Sequence, residues 1–156
     1  MGTGIIVGHV VVTAHHLVPD YHPAEICREQ YCKILEPVKG DSFYDLSLFE
    51  WPGERSSIRV GEVPEHGDIV YVHAYPKGRH IMAEAKVISD DYSKTGLGGT
   101  PAIPIDVYLP PGSSGGAVFN ENGELVGILH ASSRSTGITY MTHTLSLQDF
   151  IPYFYK

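Results

Sequence analysis

The sequence has 156 residues and a mass of 17.1 kDa, and its 11 Lys plus Arg against 18 Asp plus Glu give a formal net charge of −7. This length suits one domain, or two small lobes packed as one, and 42% hydrophobic with 19% charged residues predicts a globular core rather than a disordered or fibrous chain. The acidic balance argues against nucleic acid and membranes as partners, since both attract clustered Lys and Arg.

The sequence predicts short strands joined by turns. Its 17 Gly and 11 Pro interrupt the chain every few residues, and helical periodicity rarely persists for three turns. Segments rich in Val, Ile, Tyr and Leu and bounded by turn residues are the predicted strands: 4–12, 46–51, 69–74, 81–88, 107–109, 117–119, 125–130 and 139–142. The Asn122-Gly123 pair between two of them predicts a hairpin over 117–130.

The N-terminal part carries no recognisable targeting signal. Its apolar run over 4–17 is broken before the ~20 residues that span a bilayer, and no basic, leucine-rich secretory signal is visible. We therefore expect a cytoplasmic location, in a bacterial or infected host cell, rather than secretion. Whether the chain is excised from a larger polypeptide or assembly is left open.

Two cysteines and several histidines lie close together between residues 15 and 32. Cys27 and Cys32 are too few for a disulfide scaffold, and they are interpreted as buried or loop thiols or as one short disulfide. His15, His16 and His22 invite a zinc interpretation, but the spacing lacks the two close ligand pairs of structural zinc sites. We expect no metal and no other cofactor.

The C-terminal segment departs from the strand pattern. Apolar residues recur at roughly helical spacing from Leu145 to Phe154, which predicts a short helix over 145–156 that Pro152 limits to a turn or two. The polar, glycine-bounded stretch 61–67 is the predicted junction of two β lobes. The predicted lobes are 1–66 and 67–144.

Three short motifs carry the residue types of nucleophilic catalysis. They are Thr13-Ala14-His15-His16, Asp45-Leu46-Ser47-Leu48 and Gly112-Ser113-Ser114-Gly115-Gly116. A serine hydroxyl becomes a good nucleophile when a histidine takes its proton and a carboxylate orients the imidazole. Glycines around Ser114 let the amides of Gly112 and Ser114 face a developing oxyanion.

In this order, the motifs resemble those of the chymotrypsin-like serine peptidases: Thr-Ala-x-His, Asp-Leu-Ser-Leu and Gly-x-Ser-Gly-Gly. The resemblance runs from about Gly2 to the terminal helix. It implies an all-β fold of two packed antiparallel β-barrels and a serine endopeptidase that acts on peptide or protein substrates. By the family pattern, His16 is the base, Asp45 orients it, Ser114 is the nucleophile, and the cleft between the barrels holds the site.

The resemblance favours a minimal bacterial, viral or phage-type branch of the family. Zymogen-type members carry Asp where this chain has Ser113, and the short spacings from His16 to Asp45 and from Asp45 to Ser114 leave little room for insertions. The alternatives to the three catalytic residues are close neighbours in the sequence: His15, Asp41 and Ser113.

The family pattern also predicts the walls of a specificity pocket beside the nucleophile: Tyr108, Leu109, Pro111, Leu129, His130, Ala131 and Ser132. With no acidic residue in this set, we expect the pocket to accept uncharged side chains. Relatives that cleave after Glu or Gln carry Gly-Ile-His, whereas here His130 comes one position later. Because one residue reverses side-chain direction on a strand, His130 is expected to point at Asp45 instead, with acidic or glutamine specificity as the alternative.

Two other functions are compatible with the same motifs. One is a catalytically silent domain that binds an extended peptide at a strand edge, since the first matched strand begins almost at Met1, where the family has an earlier strand. The other is an esterase that uses the same three residues.

Overall fold

The computed structural model describes residues 2–18 and 22–151. Its first part forms a four-stranded antiparallel sheet and a separate two-stranded ribbon. The sheet has the order β1 (Gly4–Val7), β2 (Val10–Ala14), β6 (Leu46–Glu50), β5 (Pro37–Asp41), and the ribbon consists of β3 (Ala24–Arg28) and β4 (Tyr31–Leu35). A disulfide joins Cys27 and Cys32, which are paired directly across the ribbon.

The second part is a six-stranded antiparallel sheet. In chain order its strands are β7 (Ile69–Ala74), β8 (Ile81–Lys86), β9 (Ala102–Ile105), β10 (Ala117–Phe119), β11 (Leu125–Ser133) and β12 (Ile138–Thr142), and their spatial order is β8-β7-β10-β11-β12-β9. The amide of Ile88 donates to the carbonyl of Pro104, and that of Asp106 donates to Lys86. These bonds bring the two edge strands together, so the sheet closes into a barrel.

Alternating side chains on the strands build separate apolar cores. Val11 of β2 packs with Phe49 and Trp51, and residues of the β3–β4 ribbon cover that cluster to form the first barrel. A separate set of buried residues fills the interior of the second barrel: Val70, Val72, Ala74, Ala85, Val87, Ile103, Ile105, Leu109, Val118, Val126, Leu129 and Met141. Each fully buried Val, Leu or Ile contributes ~1.5–3 kcal/mol.

A third cluster joins the two barrels. Val10 and Val12 of β2 pack against Ala117, Leu125 and Ile128 of the second sheet, and helix α1 (Thr144–Phe150) adds Leu147 and Phe150. Strand β2 is therefore buried on both faces, because its odd and even residues serve different cores. This packing holds the two barrels in a fixed relation along β2, the strand that directly precedes His15 and His16.

The predicted all-β class, with two antiparallel barrels and a short C-terminal helix, is confirmed. The helix is α1, and the remainder of its predicted range, 152–156, lies outside the described residues. The two sheets lie within 4–50 and 69–142, with isolated bridges rather than strands between them. None of the helices in the described ranges has the length and apolar character needed to cross a membrane.

Three predictions about strands are wrong. The predicted strand 4–12 is a hairpin of β1 and β2, because Gly8 adopts a left-handed φ of 59° and turns the chain. Residues 107–109 follow the strand of that region, which is β9. Strands β3, β4 and β5 were not predicted, because they are short, none keeps a strict apolar–polar alternation over its length, and apolar residues such as Tyr31, Ile34 and Val38 are exposed.

Candidate active site

Adjacent strands bring His16 and Asp45 together. In the register of β2 with β6, Ala14 pairs with Leu46, so the residues after the first strand lie beside the residue before the second. The carboxylate of Asp45 accepts two hydrogen bonds from His16, one from the backbone amide and one from ring Nδ1, each 2.8 Å long. The side chain of His16 is 46% exposed, which leaves its outer edge accessible to a substrate.

The backbone of Asp45 adopts a left-handed φ of 55°, a conformation that Asp tolerates better than most residues. It is held there because the amide of His15 donates to the Asp45 carbonyl at 3.0 Å. Left-handed backbone at a residue with a side chain costs on the order of 1 kcal/mol and clusters at functional sites. The turn thereby directs the carboxylate at the chain that follows β2.

The ionisation of both groups is shifted by their contact. Burial raises the pKa of Asp45, but hydrogen bonds from His130 and His16 outweigh burial and lower its pKa to about 2. The hydrogen bond to Asp45 raises the pKa of His16, although partial burial opposes that effect. Asp45 is therefore ionised at neutral pH and stabilises a proton on His16, as a general base requires.

The neighbours of the three predicted catalytic residues have structural contacts of their own. Ring Nδ1 of His15 lies 2.8 Å from the buried hydroxyl of Ser47. The carboxylate of Asp41 accepts from the amides of Phe43 and Tyr44 and so caps the turn before β6. The hydroxyl of Ser113 donates to the carbonyl of Pro110 at 2.7 Å. Each of the three alternatives thus has a hydrogen-bond partner within the fold.

Ser114 lies on a turn that packs against the first barrel. The amide of Thr3 donates to the Ser114 carbonyl at 2.9 Å, and the Thr13 hydroxyl donates to the Thr3 carbonyl at 2.6 Å. Gly115 has a φ of 86°, and a Cβ at this position would lie 1.9 Å from the Thr3 carbonyl oxygen. The turn can approach so closely only because residue 115 has no side chain.

This docking connects the serine turn to the strand that carries the histidine, since Thr13 lies in β2, three residues before His16. Within the described ranges, no hydrogen bond joins the side chains of Ser114 and His16. Catalytic hydrogen bonds commonly tighten only when substrate is bound.

Two backbone amides beside Ser114 are available to a ligand. The amides of Ser113, Gly115 and Gly116 donate to Pro110, Leu129 and Ser113 respectively. Those of Gly112 and Ser114 have no acceptor in the part of the chain that the structure describes, and Gly112 is in the left-handed region at φ 92°. The free amide of a serine, together with the free amide of the glycine two residues before it, is the kind of donor set that stabilises a tetrahedral oxyanion.

A cavity of about 130 Å³ opens beside Ser114. Its walls include the predicted residues Tyr108, Leu109, Pro111, Leu129, Ala131 and Ser132, together with Pro110, Gly112, Ser113 and Thr139. None of these residues is charged. Thr139 was not predicted, although it belongs to β12, which pairs with the strand of Ala131 and Ser132, so strand pairing was the signal that could have found it.

Two hydroxyls in the cavity wall are paired with each other. The hydroxyls of Ser132 and Thr139 lie 2.5 Å apart, and Thr139 donates to the carbonyl of Val107. The Ser132 and Thr139 hydroxyls therefore already have partners within the protein.

His130 does not line the cavity. Its ring Nδ1 lies 2.5 Å from the same carboxylate oxygen of Asp45 that His16 contacts, and its ring Nε2 lies 3.2 Å from the carbonyl of Leu97. Of the two orientations considered from the sequence, the structure has the one toward Asp45. The strand bulges between Leu129 and Ala131, at this residue.

His16, Asp45 and His130 also offer three potential metal ligands within 4.8 Å of one another, the one such cluster found in the described ranges. Both ring Nδ1 atoms are hydrogen-bonded to Asp45. A metal on those atoms would have to replace the protons that hold the cluster together.

The family description "Trypsin-like peptidase domain" matches residues 2–128. A curated relative, "Protease Do-like 2, chloroplastic" of Arabidopsis thaliana, is 30% identical over 111 residues, which cover 65% of this chain and 18% of the relative. The chain therefore spans less than a fifth of that relative's length.

Among solved structures, the active form of the Rv3671c protease from M. tuberculosis aligns with a TM-score of 0.81 at 18% identity, covering 96% of this chain and 71% of that one. The HtrA-type protease AlgW, solved with a decapeptide, aligns with a TM-score of 0.81 at 22% identity, covering 96% of this chain and 50% of that one. Likeness at this identity concerns the fold.

Proposed function

Because this chain belongs to the trypsin-like peptidase family, we propose that it is a serine endopeptidase with Ser114 as nucleophile, His16 as general base and Asp45 as the residue that orients His16. The observation that carries the proposal is the double hydrogen bond from His16 to Asp45, on the strand against which the Ser114 turn is docked. The free amides of Gly112 and Ser114 supply the hydrogen-bond donors that the oxyanion of the reaction requires.

The proposed reaction begins with proton transfer from the Ser114 hydroxyl to Nε2 of His16. The serine oxygen bonds to the scissile carbonyl carbon, and the negative charge that develops on the carbonyl oxygen is stabilised by the amides of Gly112 and Ser114. Asp45 accepts from Nδ1 of His16 and stabilises the imidazolium during this step.

Collapse of the intermediate breaks the carbon–nitrogen bond. His16 returns the proton to the departing amine, and an acyl group remains on Ser114. Water then repeats the sequence with His16 as base, which releases the acid product and regenerates the serine. The atoms of the peptide and of the water are all accounted for in the amine and acid products, and the reaction involves no oxidation or reduction.

We propose that the substrate is an extended peptide with an uncharged side chain before the scissile bond. No side chain that lines the cavity beside Ser114 is charged, and the Ser132 and Thr139 hydroxyls in its wall are hydrogen-bonded to each other, so a buried Lys, Arg, Asp or Glu side chain would find no opposite charge there. The decapeptide bound to AlgW shows that a structural neighbour takes peptide ligands.

The test is turnover of a fluorogenic peptide library by the wild type and by Ser114→Ala, with Ser135→Ala on an exposed loop as the matched control. We expect the first variant to lose turnover and the control to retain it. Undiminished turnover in Ser114→Ala would contradict the assignment. Ester substrates measured in parallel test the esterase alternative, which predicts ester turnover without peptide turnover.

A further inference from the structure

His130 is a buried ionisable residue that the proposed reaction does not use. Its side chain is 5% exposed and contacts the same carboxylate oxygen of Asp45 as His16 does. The segment Leu97–Gly99 and Gly96 cover the other side, where a Cβ on Gly96 would lie 2.5 Å from Cδ2 of the His130 ring. The ring is therefore enclosed between Asp45 and the backbone of this loop.

Both ring nitrogens of His130 face hydrogen-bond acceptors. Nδ1 contacts the Asp45 carboxylate, and Nε2 contacts the carbonyl of Leu97, and neither of these groups can donate. A neutral imidazole carries one N–H and one bare nitrogen, whereas an imidazolium carries two N–H groups. The surroundings of His130 therefore match the imidazolium.

His143 shows the opposite arrangement in the same molecule. It is 1% exposed, its Nδ1 accepts from the amide of Leu145, and its Nε2 donates to the carbonyl of Asp90. One nitrogen must be bare and the other protonated, which defines a neutral ring. His130 and His143 thus differ in the partners that each environment offers.

We propose that His130 is a positioning residue, held as a buried imidazolium that shares the carboxylate of Asp45 with His16. This inference rests on the proposed function for its catalytic meaning. The described ionisable groups placed against the ring are Asp45 and His16, and the covering loop contributes a carbonyl and glycine backbone. The charge of His130 is thus balanced by the single carboxylate that orients the catalytic base.

Sharing the carboxylate has two opposing consequences for His16. The bond from His130 keeps Asp45 ionised and fixes the carboxylate, which helps it to orient the His16 ring. However, the centres of the two rings are 6.2 Å apart, so a proton arriving on His16 meets a nearby positive charge. His130 therefore positions the base and at the same time limits its basicity.

The charge can be read directly by two-bond ¹H–¹⁵N correlation spectra of the ¹⁵N-histidine-labelled Ser114→Ala protein across the neutral pH range. We expect both ring nitrogens of His130 to resonate as protonated nitrogens, while His143 in the same spectra shows one protonated and one bare nitrogen. A bare nitrogen on His130 at neutral pH would overturn the proposal. This readout needs no turnover, so it is independent of the proposed function.

A variant pair tests the effect on catalysis. His130→Asn keeps an N–H donor near the position of Nδ1 but removes the charge, and we expect the pH at half-maximal kcat/KM to rise by roughly one pH unit. His143→Asn makes the same substitution at a ring that is neutral. No charge is removed there, so the pH at half-maximal kcat/KM should not move. An unchanged midpoint in a folded His130→Asn protein would contradict a charged His130, whereas absent turnover in the wild type would contradict the proposed function instead.

Discussion

His16 donates to Asp45 twice, from its backbone amide and from ring Nδ1, and both bonds measure 2.8 Å. The carboxylate therefore fixes the main chain and the ring of the same residue. A ring fixed in this way keeps its proton on Nδ1 and presents its other nitrogen to the cleft. The tautomer that a general base needs is consequently determined by the turn before β6.

Replacing Asp45 with Asn should lower kcat by about 10⁴-fold, because an amide can turn its N–H toward Nδ1 and favour the wrong tautomer of His16. The measurement is steady-state kinetics on a peptide substrate. Asp41→Asn is the matched control, since Asp41 caps a turn nearby and has no contact with the histidine. A loss in the control as large as that in Asp45→Asn would assign the effect to the turn.

Asp45 should also contribute to acid stability. Its folded pKa is about 2 against an ordinary value of 3.8, so its contribution is present above pH 3.8 and is lost as the pH falls through 2. The loss amounts to about 2 kcal/mol in the free energy of unfolding. Urea titrations at pH 5 and pH 2 should show a smaller acid-induced loss in Asp45→Asn than in the wild type, and equal losses would refute this contribution.

The sequence motifs single out His16, Asp45 and Ser114 as candidates, and the structure brings the first two into hydrogen-bond contact, whereas several strands around them were not predicted. Chemistry restricts residue type and spacing at His16, Asp45 and Ser114, whereas most positions of the β3–β4 ribbon are exposed and its packing against the first core rests on a few residues such as Ala24, Ile26 and Leu35. The turn at Gly8 was not predicted, because apolar residues lie on both sides of it. Strand β2, which follows the turn, is buried on both faces, so its side chains do not show the two-residue period of a half-buried strand.

Other features depend on contacts between distant segments. The pairing of Cys27 with Cys32 needed the register of a ribbon that was not predicted. The cytoplasmic location expected from the sequence stays a prediction. The contact of Thr3 with the Ser114 turn joins residues more than 100 positions apart, and no local pattern records it.

Gly115→Ala should destabilise the protein by at least ~2 kcal/mol, because the new methyl group would overlap the Thr3 carbonyl in addition to the strain of a left-handed backbone. Gly123→Ala is the matched control, since Gly123 has a φ of 76° but open space around its Cβ position. We expect about 1 kcal/mol there. Urea unfolding of both variants gives the comparison, and equal losses would contradict tight docking of the serine turn.

Ala131→Leu should narrow the cavity beside Ser114. We expect kcat/KM to fall about 10-fold more for peptides with a large apolar side chain before the scissile bond than for peptides with Ala there, since one or two methylene groups in a pocket contribute ~1–3 kcal/mol. Glu121→Gln, in the exposed turn after β10, serves as the control. A uniform loss across the peptides would place Ala131 outside the specificity pocket.

The most direct test of the central claim is labelling with a fluorophosphonate, which modifies serines activated by a neighbouring base. Mass spectrometry of digested protein locates the adduct, and Ser114→Ala is the control. The proposed mechanism predicts a single adduct on Ser114 that disappears in the control. Folded wild-type protein without an adduct on Ser114 would contradict it and would favour the peptide-binding alternative.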